Sequence, residues 1–180
     1  MNERVYNSGI ERLRSPERTE RLEVERVIDL CLSTSKIDSV LDIGTGSGLF
    51  AEAFYKRNIV VTGIDSNHEM LEAAKDYLPN CQFKLASAES LPFQENSFDM
   101  VFMGLVLHEV DDYDKVLKEI ERVAVKQAAI LEWNYEIQEF GPPLEHRLKP
   151  EFIEQLSKDA GFTSFSVVPL TNLSLYLLVK

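Results

Sequence analysis

Gly44, Gly46 and Gly48 alternate in the stretch Val40-Leu41-Asp42-Ile43-Gly44-Thr45-Gly46-Ser47-Gly48, directly after an apolar run that reads as a strand. Glycines placed so closely let the main chain approach a ligand where a Cβ would intrude. The order G-x-G-x-G departs from the G-x-G-x-x-G loop that cradles a pyrophosphate, because the position wanted by that pattern is Leu49. The Gly-Lys-Ser/Thr ending of a P-loop is absent as well. Asp42, two residues before the first glycine, would repel a phosphate and attract a cation. A ligand with a positive amine or sulfonium and no phosphate satisfies both features.

Other residues able to do chemistry lie further along. His108 opens the run His108-Glu109-Val110-Asp111-Asp112 and can serve as a general base near neutral pH, or can simply line or cap a loop. That run also resembles a metal cluster in composition, but two acids ahead of a helix serve as caps, and no metal site is expected. In "EFGPPLEHRLKP" the rigid Gly141-Pro142-Pro143 is followed by His146 and Arg147. Arg147 can fix an anionic acceptor through a bidentate pair, or can pair with Glu145 or Glu151. Trp133 is either packing or a wall for a substrate.

The elements that must position these groups alternate. Residues 19–32 carry Val24, Val27, Ile28 and Cys31 at helical spacing. Strands are predicted over Ser39–Ile43, Ile59–Ile64, Gln82–Ala86, Asp99–Gly104 and Gln127–Glu132, with helices between them. The glycine loop leads into a helix through about Arg57. Ser66-x-x-Glu69 forms a capping box for a helix through about Tyr77, and Asp114 caps a helix whose Val116, Leu117, Ile120 and Val123 face one way. Pro150 opens a helix that stops at Gly161. Ser164–Pro169 and Ser174–Val179, joined at Thr171-Asn172, should pair antiparallel. Strands buried on both faces and alternating with helices make an α/β fold: a doubly wound, seven-stranded, mostly parallel sheet with an antiparallel C-terminal hairpin.

Composition sets outer limits. The 180 residues suit one domain, expected as an N-terminal helical segment over 1–35 and an α/β core over 36–180. The longest apolar run, near Val101 to Leu107, is far short of a membrane span, and the opening Asn2-Glu3-Arg4 offers no signal-like apolar region. Cys31 and Cys81 are expected as free buried thiols in regular structure, which with these features implies a cytoplasmic setting. A net charge of −11 argues against nucleic acid as a partner. Six of the nine arginines fall in the first 26 residues, but six glutamates interleave with them, so that segment reads as a salt-laced helical surface.

D-x-G-x-G-x-G after a first strand resembles motif I of the class I S-adenosylmethionine (SAM)-dependent methyltransferases, in particular the small-molecule, type 11-like members. Asp65, 17 residues past Gly48, stands where that family's acid hydrogen-bonds both ribose hydroxyls. "LASAESLPFQENSFDMVFMGLVLHEVDD" is similar to the family's GDAxxLPFxxxSFDxVxxxxxLHHVxD stretch. The resemblance implies SAM as cofactor, S-adenosylhomocysteine as product, and Rossmann-like architecture. It implies cofactor contacts at Asp42, Gly44, Thr45, Gly46, Gly48, Asp65, Ser66, Ser87, Ala88, Glu89 and Met103. Ser87 replaces the usual aspartate at the adenine, and His108-Glu109 stands for the frequent His-His. The Gly-Pro-Pro-x-x-His-Arg segment is similar to one in small bacterial and archaeal members.

Methyl transfer from a sulfonium is an in-line displacement, so alignment supplies most of the catalysis. The Asn/Asp-Pro-Pro-Tyr/Phe signature of exocyclic-nitrogen enzymes is replaced by Gly104-Leu105-Val106-Leu107, and neither cysteine is placed for cytosine-C5 or arsenic chemistry. The resemblance therefore implies a small-molecule acceptor, with His108 and Arg147 as catalytic candidates. A SAM-binding sensor that transfers nothing is the alternative, and a nicotinamide dehydrogenase is disfavoured by Leu49 and Asp42. The first 20 or so residues are expected to close over the site with the loop around Gly141, placing Arg12, Arg14, Arg18 and Arg147 in the pocket.

Overall fold

Apolar residues on both sides of each central strand require a covering layer on each face of the sheet. The computed structural model describes residues 9–180. In chain order it contains α1 (Ile10–Leu13), α2 (Pro16–Arg21), α3 (Val24–Leu32), β1 (Ser39–Ile43), α4 (Leu49–Tyr55), β2 (Val60–Asp65) and α5 (His68–Tyr77). There follow β3 (Gln82–Leu85), β4 (Phe98–Gly104), α6 (Tyr113–Val123), β5 (Ala124–Trp133), α7 (Pro150–Ala160), β6 (Ser164–Pro169) and β7 (Leu173–Val179). The seven strands form one sheet in the order β3-β2-β1-β4-β5-β7-β6. β1 to β5 pair in parallel, whereas β7 runs antiparallel to both β5 and β6.

Alternation along the strands divides the core. Val40, Met100, Phe102, Ala129 and Leu131 face α3 and α4, while Leu41, Ile43, Val101, Met103, Ala128 and Ile130 face α6 and α7. The four apolar positions expected on α3 and the four on α6 are all buried. α7 runs from Pro150 to Ala160 with proline in its first turn and Gly161 at its end, as the sequence implies.

Local differences have local causes. The helix expected over residues 19–32 is two helices, because Glu23 adopts a left-handed conformation (φ +49°). There its carboxylate accepts the Thr171 N–H at 2.7 Å, which ties the junction to the β6–β7 turn. α5 is capped by Asn67, whose side chain accepts the Glu69 N–H, rather than by Ser66. α6 is capped by Asp112 rather than Asp114. Cys31 is a free buried thiol; Cys81 is also free but only half-buried, in the turn ahead of β3. Among the described residues no helix is long and apolar enough to cross a membrane.

In an open parallel sheet, ligands bind beyond the carboxyl ends of the strands, where the strand order reverses. Here that point lies between β1 and β4, each flanked by loops that carry the residues singled out above.

Candidate active site

The loop after β1 is held from beneath and open above. Asp42 is almost wholly buried and accepts the Thr45 hydroxyl at 2.6 Å. Its carboxyl is pushed up to about 7, first by burial and further by the nearby Asp65, against the opposing hydrogen bonds from Thr45 and the Ala51 N–H. Thr45 N–H in turn donates to the Ile64 carbonyl of β2 at 2.9 Å. A Cβ on Gly44 would lie 2.3 Å from the Val106 side chain, so this glycine lets the loop pass the segment after β4. A Cβ on Gly46 would meet nothing within 4 Å, yet the residue sits at φ +54°. Gly48 packs against Ala74 and Leu78 of the α5 region.

Asp65 ends β2 and joins two loops. One carboxylate oxygen accepts the Gly46 N–H and the other the Asn67 N–H, both at 2.8 Å. Burial raises its pKa, while the backbone N–H groups of Asn67, Gly46 and Ser66 pull the other way. Each carboxylate oxygen can accept two bonds, so the pair keeps acceptor capacity for a ligand. Beyond β3, the Ser87 hydroxyl accepts the Glu89 N–H, and the Glu89 carboxylate accepts the N–H groups of Asp111 and Asp112 at 3.2 Å each. The strand-three and strand-four loops are thereby clasped together.

These groups open onto one cleft of about 980 Å³. That is at the upper end of the roughly 300–1,000 Å³ usual for small-molecule sites. His108 follows β4 in a single 3-10 turn, is 5% exposed, and lines the cleft. Its Nδ1 lies 2.8 Å from the Glu132 carboxylate, and its N–H donates to the other Glu132 oxygen at 3.1 Å. A carboxylate can only accept, so Nδ1 directs a proton at Glu132. Nε2 is 3.8 Å from Glu109.

Arg147 behaves differently from either expectation. Its guanidinium donates to the carbonyls of Pro142, Asn134 and Phe140 and to the Gln138 side-chain oxygen, at 2.6–2.9 Å. It is 5% exposed, pairs with neither Glu145 nor Glu151, and does not line the cleft; His146 does. The acceptor-fixing role is thus corrected: five donors in a fixed fork find the nearest convergent oxygens, and here those are main-chain carbonyls of its own loop. Arg14 is also elsewhere, donating to the Ser47 carbonyl and pairing with Glu52 while its guanidinium covers the Tyr77 ring. Arg12 and Arg18 do line the cleft, as do Gly141, Pro142 and Pro143.

A family model described as a methyltransferase domain matches residues 41–131, half of the chain, from β1 through β5. The ubiquinone/menaquinone biosynthesis C-methyltransferase UbiE of Rickettsia felis is 33% identical over 142 residues, covering 72% of this chain and 52% of the relative. The chain belongs to the class I SAM-dependent methyltransferases. Demethylmenaquinone methyltransferase of Thermotoga maritima is 31% identical over 109 residues, covering 59% of this chain and 47% of the relative. The chain thus spans about half the length of these curated relatives. A SAM-dependent methyltransferase of Aquifex aeolicus superposes with a TM-score of 0.82 at 26% identity, over 94% of this chain and 96% of that one.

The residues present fit the methyltransferase cofactor. Open space above Gly46 and a half-engaged carboxylate at Asp65 suit an uncharged ribose better than a pyrophosphate. Of the positions the resemblance marks for SAM, Gly44, Gly46, Asp65, Ser66, Ser87, Ala88 and Glu89 line the cleft. Asp42, Thr45, Gly48 and Met103 lie outside that lining. Asp42 and Thr45 brace the loop from below, Gly48 packs on α5, and Met103 is fully buried against α6 because its side chain shares the face of Val101. Gly104, one residue later, reaches the cleft instead. Glu132, Arg21 and Met70 were not singled out from sequence. A glutamate inside the apolar run Ala128-Ala129-Ile130-Leu131-Glu132-Trp133 was a usable signal, since a buried carboxylate needs a partner.

Proposed function

We propose that the chain transfers a methyl group from SAM to a small-molecule acceptor, with His108 as general base and Glu132 as its positioning residue. SAM supplies an electrophilic methyl on a sulfonium. Asp65 holds the ribose hydroxyls, residues 87–89 flank the base, and the open main chain at Gly46 admits close approach. The observation that carries the reading is that the glycine loop, Asp65 and His108 line the same cleft. Glu132 fixes the imidazole in the tautomer whose Nε2 accepts a proton, and its charge stabilises the imidazolium that results. A base of this kind suits an acceptor with an acidic hydroxyl, whose oxygen or conjugated ring carbon becomes nucleophilic on deprotonation. The names of the relatives, a demethylmenaquinone methyltransferase and a ubiquinone/menaquinone biosynthesis C-methyltransferase, support a quinone-type acceptor methylated at carbon.

Incubation with SAM and a panel of hydroxylated aromatic and enolic compounds, read by mass spectrometry, tests the reading. The expected result is a product heavier by one methylene, lost in His108→Ala. SAM binding without transfer to any panel member would favour the sensor reading instead. We further propose that α1 and α2 belong to a lid over the acceptor within a single domain; residues 1–8 lie outside the described residues. Deleting residues 1–18 should leave SAM binding within a few-fold and abolish turnover.

A further inference from the structure

Arg21 ends α2 and lines the cleft beside the loop that follows β5. Its guanidinium lies 3.5 Å from the centre of the Phe140 ring, a stacked cation–π arrangement. Phe140 is itself held, because its carbonyl accepts from Arg147 at 2.6 Å. The two arginines therefore form one assembly with opposite uses of their donors. Arg147 spends its donors on loop oxygens, whereas Arg21 makes no ion pair or hydrogen bond through its guanidinium among the described residues. Glu17 and Glu139 line the same cleft, and neither reaches salt-bridge distance of Arg21. Arg12 lines the cleft too, so the positive charge is not solitary.

A guanidinium stacked on a fixed ring is oriented before any ligand arrives, with its N–H edges left for a planar or tetrahedral anion. In a chain of net charge −11, an anion would not be drawn here by the overall field, so a local site is needed to hold it. We infer that Arg21, stacked on Phe140, binds an anionic group of the methyl acceptor, a carboxylate or a phosphate. The inference rests on the proposed methyltransferase function and narrows its acceptor to a hydroxylated compound bearing such a group. It also moves anion recognition from Arg147 to Arg21, the other arginine of the same assembly, stacked on Phe140.

Calorimetric titration of the full chain saturated with S-adenosylhomocysteine tests it, with benzoate, phenyl phosphate and benzamide as probes. One of the two anions should bind about tenfold or more tightly than neutral benzamide, and which one does so decides between carboxylate and phosphate. Arg21→Gln should remove that preference while S-adenosylhomocysteine affinity stays within about twofold, and Arg21→Lys should restore it only in part. Phe140→Leu should weaken the anion in the same direction, since the guanidinium loses its platform. Equal binding of benzamide and both anions, or an anion preference that persists in Arg21→Gln, would overturn the assignment. Failure of the wild-type chain to bind S-adenosylhomocysteine would instead overturn the function on which it rests.

Discussion

Around Gly46 the wall of the cleft is main chain, whereas around Trp133 and Phe140 it is side chain. The cofactor end is fixed by strand ends and by backbone N–H groups that converge on Asp65. The acceptor end is assembled from a loop with no strand or α-helix between β5 and α7, held by one buried arginine and faced by two short helices. Main chain offers the same donors whatever residues surround it, so its geometry follows from where turns and glycines fall. Side-chain walls can be rebuilt by a few substitutions. The contrast explains how one cofactor site can serve many acceptors, with selection left to the loops.

The largest expected effect separates the two ends outright. His108→Ala should lower kcat by about 10²- to 10⁴-fold while the Kd for SAM stays within a few-fold, in steady-state assays beside calorimetry. Parallel loss of SAM affinity would mean that the two ends are not independent.

Next comes a pH effect beneath the glycine loop. The Asp42 carboxyl titrates near 7 when folded and near 3.8 when unfolded. Between those values the unfolded chain gives up its proton first, so the contribution of Asp42 to stability is greatest below about pH 4 and is lost as pH rises to about 7. The contribution is a few kcal/mol. Asp42→Asn should flatten that slope in urea melts at successive pH values, and an unchanged slope would show that Asp42 is not its source.

On the acceptor side, Arg147→Met should cost about 1–3 kcal/mol by leaving loop carbonyls without donors, seen as a lower urea midpoint. It should also raise the acceptor KM more than it changes SAM affinity, since the loop it organises faces the acceptor. The smallest effect is Glu132→Gln, which loses the charge behind the imidazole and one of the two oxygens that accept from His108. A fall in kcat of roughly ten- to a hundredfold, larger than the accompanying loss of stability, is the expected outcome. Equal loss of kcat and of folding stability would make Glu132 a packing residue.

The same contrast governs how much could be read from the chain alone. Each strand lies close to where the alternation of segments puts it, and the glycine loop, Asp65 and residues 87–89, which the family resemblance marks, line the cleft. Met103 and Asp42 lie outside that lining, as period-two alternation records: Met103 shares a face with Val101, and Asp42 one with Val40. Arg147 could not be resolved in this way. Which oxygens a guanidinium reaches depends on how the chain from Asn134 to Pro142 folds back on itself, and no local pattern records that. Arg21 was hidden for the same reason, since its partner Phe140 is 119 residues away.

The central claim is that Asp65 and the glycine loop form a SAM site that works independently of the acceptor wall. Calorimetry of SAM against wild-type and Asp65→Ala protein tests it most directly. The expected result is one site per chain in the wild type, weakened by roughly 2–4 kcal/mol in the variant through loss of the ribose bonds and of the anchor on Gly46. A folded Asp65→Ala protein that binds SAM as tightly as the wild type would contradict it.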